Sequence, residues 1–211
     1  MALTATDTGG DFELPPAGNH PARCCQIIDL GTQYSKYYDS HSHKVLVCWE
    51  LMCEPNQDGV RHMVWKRYTL SLSSKATLRQ HLDAWRGRPF TEEELKGFDV
   101  CKVLGQPCLL QVVHKPEGDK TYANVQAVAQ PPSGIDIPPL QSEAFEFTLT
   151  DPFDRDRFDT FREKLQDTIK ASPEYQRLVG EAPPARTALD AVREAEAQQQ
   201  TLQTISDEVP F

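Results

Sequence analysis

One segment of the sequence, residues 65–68, alternates aromatic and basic side chains in a pattern suited to binding single-stranded nucleic acid. Such binding uses cations along the phosphate backbone and flat rings on which bases stack. Successive side chains of a strand point to opposite faces, so Trp65 and Arg67 share one face and Lys66 and Tyr68 share the other. Only one of these pairs can face a ligand, because the other must pack into the protein. The sequence leaves open which pair that is.

Two polar stretches elsewhere in the chain add further tyrosines and lysines. The first follows Gly31, and the second joins the last two predicted strands around Pro116. Rings and cations in loops are less needed for packing than those in strands, which favours contact with a ligand. The residues predicted to contribute are Tyr34, Lys36, Tyr37 and Lys44 from the first stretch, with Tyr38 beside them, and Lys115, Lys120 and Tyr122 from the second.

The elements that must position these side chains follow the order of three strands, a helical block and two strands. In the block, Leu78, Leu82 and Trp85 recur at helical spacing, Gly87 ends that helix, and residues 91–94 form a capping box. This order matches a five-stranded OB-type barrel with its helical connection between strands 3 and 4, so the predicted fold is mainly β. Trp49 and Trp85 are predicted to lie in its core. The strands are predicted over 22–30, 44–54, 62–72, 108–114 and 122–129.

Charge is distributed unevenly along the 211 residues. The net charge is −9, yet residues 20–133 carry 14 Lys/Arg against 12 Asp/Glu, while residues 134–211 carry 8 against 16. The acidity therefore lies in the tails and leaves the middle of the chain able to present a basic surface. No apolar run reaches the roughly 20 residues of a membrane span, and the start does not resemble a signal peptide. These features predict a cytoplasmic protein.

The last third of the chain differs from the middle in composition and in predicted structure. We expect an irregular connector over 133–150 with one candidate strand near residues 145–149. A helix should then start at Asp151-Pro152, with an apolar stripe of Phe158, Phe161, Leu165 and Ile169. That helix could cover the barrel or form a homodimer contact, and the sequence does not choose. Residues 181–211 are predicted to be a flexible acidic tail, and residues 1–19 a disordered segment.

The sequence offers little support for catalysis or metal binding. It contains no phosphate-binding P-loop, nucleophile elbow or H-E-x-x-H motif, and its six cysteines form no C-x-x-C pair. His41, His43 and His62 could supply zinc nitrogens, but no paired cysteines accompany them. We therefore expect buried free thiols, no metal or cofactor, and a protein that is not an enzyme.

The segment Asp207-Glu208-Val209-Pro210-Phe211 resembles the acidic Pro-Phe tip of bacterial single-stranded DNA-binding proteins. Two acids, an aliphatic residue, a stiffening proline and a phenylalanine form a compact hook for an apolar pocket with a basic rim. In that family the tip recruits replication and repair proteins. The resemblance implies the same role for Asp207, Glu208, Val209, Pro210 and Phe211.

Residues 20–130 also resemble a family of single-stranded DNA-binding proteins encoded by phages and mobile elements. This resemblance implies an OB-like fold and single-strand binding, but it does not extend to tetramer formation. The stretches that carry it are residues 28–33 (IDLGTQ), 66–72 (KRYTLSL), 85–90 (WRGRPF), 104–108 (LGQPC) and 122–125 (YANV).

Together these observations predict a protein that binds and protects single-stranded DNA during replication or recombination. Its predicted parts are the disordered segment 1–19, an OB-fold DNA-binding domain over 20–132, a connector and helix over 133–180, and the tail 181–211. Two alternatives remain open. One is an interaction adaptor that does not bind DNA and works through the tail and the 158–169 stripe, and the other is a strand-annealing accessory factor.

Overall fold

The computed structural model describes residues 13–37, 39–118 and 120–180. Within these ranges the chain forms six strands, five α-helices and one 3₁₀ helix. The strands are β1 (Gly18–Ser35), β2 (Ser40–Leu51), β3 (Met63–Thr69), β4 (Pro107–Glu117), β5 (Lys120–Ala129) and β6 (Phe145–Phe147). The helices are α1 (Thr77–Arg86), α2 (Glu92–Lys96), α3 (Arg155–Asp159), α4 (Glu163–Lys170) and α5 (Pro173–Leu178), and the 3₁₀ helix is Val100–Val103.

The strand β1 organises the sheet. Its residues 22–35 pair with β2 on one edge, and its other edge is divided between two partners. Residues 18–23 pair with β4 in antiparallel register, and residues 26–28 pair with β6 in parallel register. Two register shifts against β2, between Cys24 and Gln26 and between Asp29 and Gly31, bend the strand. The order is β3-β2-β1-β4-β5, with β6 beside β1.

The first and last strands of this order, β3 and β5, approach each other across the hydrophobic core that lies between the sheet and α1. They run in the same direction, because every pair between them is antiparallel. Within the described residues no backbone ladder joins them. Instead, Nζ of Lys66 donates a hydrogen bond of 2.6 Å to the carbonyl oxygen of Val125. The mainly β fold with helices between the third and fourth strands is confirmed. Among the described residues no backbone hydrogen bonds pair β3 with β5, so the sheet is not closed.

The first hydrophobic core lies between the sheet and α1. Alternate residues of β2, including Val47 and Trp49, meet the apolar stripe of α1, whose Leu82 and Trp85 are buried as predicted. The Trp85 indole Nε1 donates to the carbonyl oxygen of Pro107 at 2.7 Å, which satisfies its polar group in the core.

Local capping residues determine where α1 ends and where α2 begins. Gly87, at φ 67°, ends α1 in the left-handed conformation. Thr91 and Glu94 form the predicted capping box at the start of α2. Glu94 also pairs with Arg86 and Arg88, so both arginines are engaged in holding α2 beside α1.

A second hydrophobic core lies on the other side of β1. It is built from β6 and helices α3–α5, which pack Phe147, Phe158 and Tyr175 against Ile28 and Leu30 of β1. The ring centroids of Phe147 and Phe158 are 6.2 Å apart, and those of Phe158 and Tyr175 are 5.2 Å apart. The predicted stripe of Phe158, Phe161, Leu165 and Ile169 thus packs within its own chain.

The connector between β5 and β6 is fixed to the sheet by two charged side chains. Glu50, almost fully buried on β2, accepts hydrogen bonds from Arg61 and from the backbone amides of Gln141 and Ser142. Arg23 on β1 donates to the carbonyl oxygens at positions 137 and 138. A buried carboxylate with three donors keeps its charge, and these donors hold the pKa of Glu50 below its usual value against the desolvation that would raise it.

Several predicted details are wrong. The helix predicted to start at Asp151-Pro152 starts later, because the side chain of Asp154 caps α3 by accepting a hydrogen bond from the backbone amide of Arg157. Residues 160–162 separate α3 from α4, so one predicted helix is two. β1 begins at Gly18, earlier than predicted.

No helix in the described ranges is long and apolar enough to cross a membrane. Even α1, at ten residues, spans only about 15 Å.

The six cysteines are free, in agreement with the predicted thiols. Cys24, Cys25, Cys48 and Cys108 are buried, and Cys53 and Cys101 are half-buried. Burial raises the pKa of the Cys108 thiol well above its ordinary value, so this side chain behaves as a small apolar residue of the first core.

Candidate nucleic-acid interface

The outward face of β3 carries Trp65 and Arg67. Val64 and Tyr68 point into the first core, so the alternation of the strand turns Trp65 and Arg67 to solvent. Trp65 is 46% exposed. Arg67 is exposed, and within the described residues it has no ion pair or hydrogen bond to another side chain. An exposed indole beside an unpaired guanidinium offers a stacking surface and a phosphate contact.

The inward pair is engaged within the protein. Tyr68 is buried, its hydroxyl lies 2.7 Å from Nδ1 of His81, and burial raises the pKa of Tyr68 beyond any physiological range. Tyr68 was predicted among the ligand contacts; the structure places it in the core, because α1 covers that face of β3. Lys66 is half-buried where β3 approaches β5. Desolvation there, followed by the charge of Lys115, lowers the pKa of Lys66.

The β4–β5 hairpin places three predicted residues on the surface beside β3. Lys115, Lys120 and Tyr122 are exposed, with Tyr122 at 46%. Lys115 and Tyr122 are register partners near the end of the hairpin. The charge of Lys115 contributes to the lowered pKa of Lys66, which places the two ammonium groups within electrostatic reach of each other.

The β1–β2 hairpin places Tyr34, Lys36 and Tyr37 at its exposed end. The Tyr34 hydroxyl donates to Asp39 at 2.6 Å, and its ring lies 5.2 Å from the His41 ring, so this tyrosine has a defined orientation. Tyr37 is 88% exposed. Tyr38 lies outside the described residues.

A cleft of about 470 Å³ lies at the end of β3, and Arg67 is among the residues that line it. Its lining includes four basic residues, Lys44, Lys66, Arg67 and Lys75, and no acidic residue. Sequence reasoning missed Lys75. It lies alone in the loop before α1, with no aromatic neighbour, and a count of cations along that loop would have been the one signal available.

The surface available to a ligand is narrower than the strand order alone suggests. The outward side of β1 and β2 is covered, since Ile28, Leu30 and Leu46 pack into the second core. The connector covers Glu50 further along β2. Away from the exposed end of the β1–β2 hairpin, it is therefore β3 among the first three strands that presents ligand-type side chains outward.

The predicted partner-binding residues, Asp207, Glu208, Val209, Pro210 and Phe211, lie outside the described residues. Comparison with protein-family models and a search of curated proteins each found no match for the chain.

Proposed function

We propose that this protein binds single-stranded DNA with little sequence preference and protects it during replication or recombination. The observation that carries the proposal is Trp65, a large ring left 46% exposed on a strand, with Arg67 beside it on the same face. Tryptophan is usually well buried, so an exposed indole in a basic setting suggests a ligand.

We also propose that strands β1–β5 form an OB-type barrel. Three features support it: β1 pairs with both β2 and β4, the helical block lies between β3 and β4, and β3 faces β5 in the same direction. In OB folds the strand 2–3 face and the first and last hairpin loops bind oligonucleotides. The candidate surface has that composition, with β3 between two hairpins that carry tyrosines and lysines.

The mechanism proposed is passive. Bases stack on Trp65 and on hairpin tyrosines, while Arg67 and the lysines contact phosphates, so the strand is shielded without any bond being made or broken. Recruitment of replication or recombination proteins by residues 207–211, in a bacterial cytoplasm, is the second part of the proposal and rests on their sequence alone. The adaptor alternative loses one of its two surfaces, because the 158–169 stripe is packed in the second core.

Anisotropy of a labelled thymidine oligonucleotide, titrated with the full-length protein, tests the DNA-binding proposal. We expect Trp65→Ala to weaken binding by about 5- to 150-fold, as removal of one stacking ring costs about 1–3 kcal/mol. Ile135→Ala is the matched control, since Ile135 is similarly exposed, at 47%, but lies on the connector.

Duplex DNA of the same sequence serves as the competitor. Preference for the single strand, weakened by salt and by Trp65→Ala but not by Ile135→Ala, supports the proposal. Equal affinity of wild type and Trp65→Ala, or no binding at low salt, would refute it and favour the adaptor. Faster pairing of complementary strands in the presence of the protein would instead identify an annealing factor.

A further inference from the structure

The cleft at the end of β3 differs from the rest of the candidate interface in being concave and strongly positive. It lies between β3 and the start of α1, and it encloses about 470 Å³. That volume falls within the range of small-molecule sites, about 300–1,000 Å³, and is large enough for one nucleotide.

The four cations of the cleft are held in two ways. Nζ of Lys44 donates to Oγ1 of Thr69, and Nζ of Lys66 donates to the Val125 carbonyl, each at 2.6 Å. Arg67 and Lys75 have no hydrogen bond to a carboxylate and no ion pair within the described part of the chain. Two cations are thus placed in advance, and two are left to bind an anion.

The start of α1 adds to the positive potential of the cleft. Ala76 occupies the N-cap and provides no side-chain cap, and the first turn holds no acidic residue. Ala76, Thr77 and Leu78 line the cleft, so the first-turn amide groups and the positive end of the helix dipole lie at its wall.

We propose that this cleft binds a phosphate monoester, such as the phosphorylated end of a nucleic-acid strand. A phosphodiester carries one negative charge, which four cations exceed, whereas a monoester carries about −1.5 to −2 at neutral pH. The concave shape also suits a strand end better than a continuous backbone. The inference deepens the proposed function, on which it depends for the source of the phosphate.

Competition binding with the full-length protein tests this inference. Thymidine oligonucleotides of one length, carrying a 5′-phosphate, a 3′-phosphate or neither, displace an internally labelled oligonucleotide. We expect one phosphorylated end to bind about tenfold more tightly than the unphosphorylated strand, the effect of one added charge-assisted contact. Which end is preferred gives the polarity of the bound strand.

Lys75→Ala should abolish this preference, because it should lower affinity for the preferred phosphorylated strand about tenfold more than affinity for the unphosphorylated strand. Lys102→Ala, an exposed lysine on the 3₁₀ helix outside the cleft, is the control and should preserve the preference. Equal affinity for all three oligonucleotides would overturn the inference. A uniform loss with Lys75→Ala would also overturn it, because that result describes an ordinary backbone contact.

If none of the oligonucleotides binds, the proposed function fails and the cleft can still be judged separately. Thymidine monophosphate alone should then shift the amide resonances of Thr77 and Leu78, and thymidine should not. Shifts that Lys75→Ala removes would support a phosphate site, whereas identical spectra with both compounds would exclude it.

Discussion

Lys66 and Arg67 are consecutive basic residues on β3, yet their charges meet different surroundings. Lys66 is half-buried, its ammonium group donates to a carbonyl oxygen, and its pKa is lowered. Arg67 is exposed and has no ion pair within the described residues. A cation that neutralises a phosphate releases counterions condensed on the DNA, so we assign more of the salt-dependent affinity to Arg67 than to Lys66.

We therefore expect Arg67→Ala to reduce the slope of log affinity against log salt by about 1, the loss of one phosphate contact. Anisotropy titrations at a series of salt concentrations measure the slope. Arg155→Ala is the control, because Arg155 pairs with Asp159 on α3 away from the interface. An unchanged slope for Arg67→Ala would show that Arg67 makes no phosphate contact.

His81 makes stability depend on pH. Desolvation, followed by the charge of Lys66, lowers its pKa from 6.5 to about 4. Above pH 6.5 both folded and unfolded states hold a neutral ring, so its contribution to stability is complete. As the pH falls from 6.5 towards 4, the unfolded state binds the proton first and stability is lost, by about 1–2 kcal/mol for this partly exposed ring.

Chemical denaturation of wild type and His81→Gln across that range measures this loss. The glutamine can still bond the Tyr68 hydroxyl but does not titrate. The unfolding free energy of wild type minus that of His81→Gln should therefore decrease as the pH falls from 6.5 towards 4. Parallel curves would mean that His81 does not titrate in this range.

The alternation on β3 showed in advance that one of two pairs would face outward, but not which one. Both faces carried one ring and one cation, so local pattern could not separate them. The packing of α1 determines which pair is buried, because its His81, 13 residues further along the chain, binds the Tyr68 hydroxyl. The role of Lys75 likewise depends on how the loop before α1 folds back towards β3.

At the scale of elements, Gly31 sets how closely α5 approaches β1. Its φ is 66°, and a Cβ built there would lie 2.5 Å from Cβ of Ser172, the N-cap of α5. The neighbouring Thr32 binds Glu174 of α5. The backbone amide and the hydroxyl of Thr32 donate hydrogen bonds of 2.8 and 2.7 Å to the Glu174 carboxylate. This contact therefore requires glycine for conformation and for space.

Gly31→Ala is expected to lower the unfolding free energy by roughly 2–4 kcal/mol, the sum of left-handed strain and overlap with α5. Gly134→Ala provides the comparison, because Gly134 also has a positive φ, 86°, but nothing lies within 4 Å of its added Cβ. It should cost only about 1–2 kcal/mol. Equal losses in urea denaturation would show that close packing on Ser172 contributes nothing.

The elements with strong local signals were predicted well. The five longer strands, the stripe and glycine stop of α1, and the capping box of α2 each follow from residues close in sequence. For β6 the sequence predicted only a strand near residues 145–149, and no sequence pattern indicated its parallel pairing with β1. Three residues are too few to show periodicity, and their partner lies about 120 positions earlier.

At the scale of the whole molecule, the two cores share β1 and should unfold together. Cys24 and Ile27 face the first core, while Ile28 and Leu30 face the second. All three tryptophans lie in or beside the first core, at positions 49, 65 and 85, so their fluorescence reports on that core.

Phe147→Ala, deep in the second core, is therefore expected to shift the tryptophan-monitored transition by about 3–5 kcal/mol. Ile135→Ala, on the exposed connector, should leave the transition in place. If the fluorescence transition of Phe147→Ala matched wild type while a far-ultraviolet transition split in two, the cores would be independent folding units.

The division of one edge of β1 between β4 and β6 has a consequence for synthesis on the ribosome. Strands β1–β5 are complete once residue 129 has emerged, but the outer side of β1 and β2 waits for residues 145–178. At about 5–20 residues per second, translation leaves Ile28, Leu30 and Leu46 uncovered for roughly 2–10 s. During that interval the nascent chain displays an apolar strip, a binding site for chaperones that disappears when α5 docks.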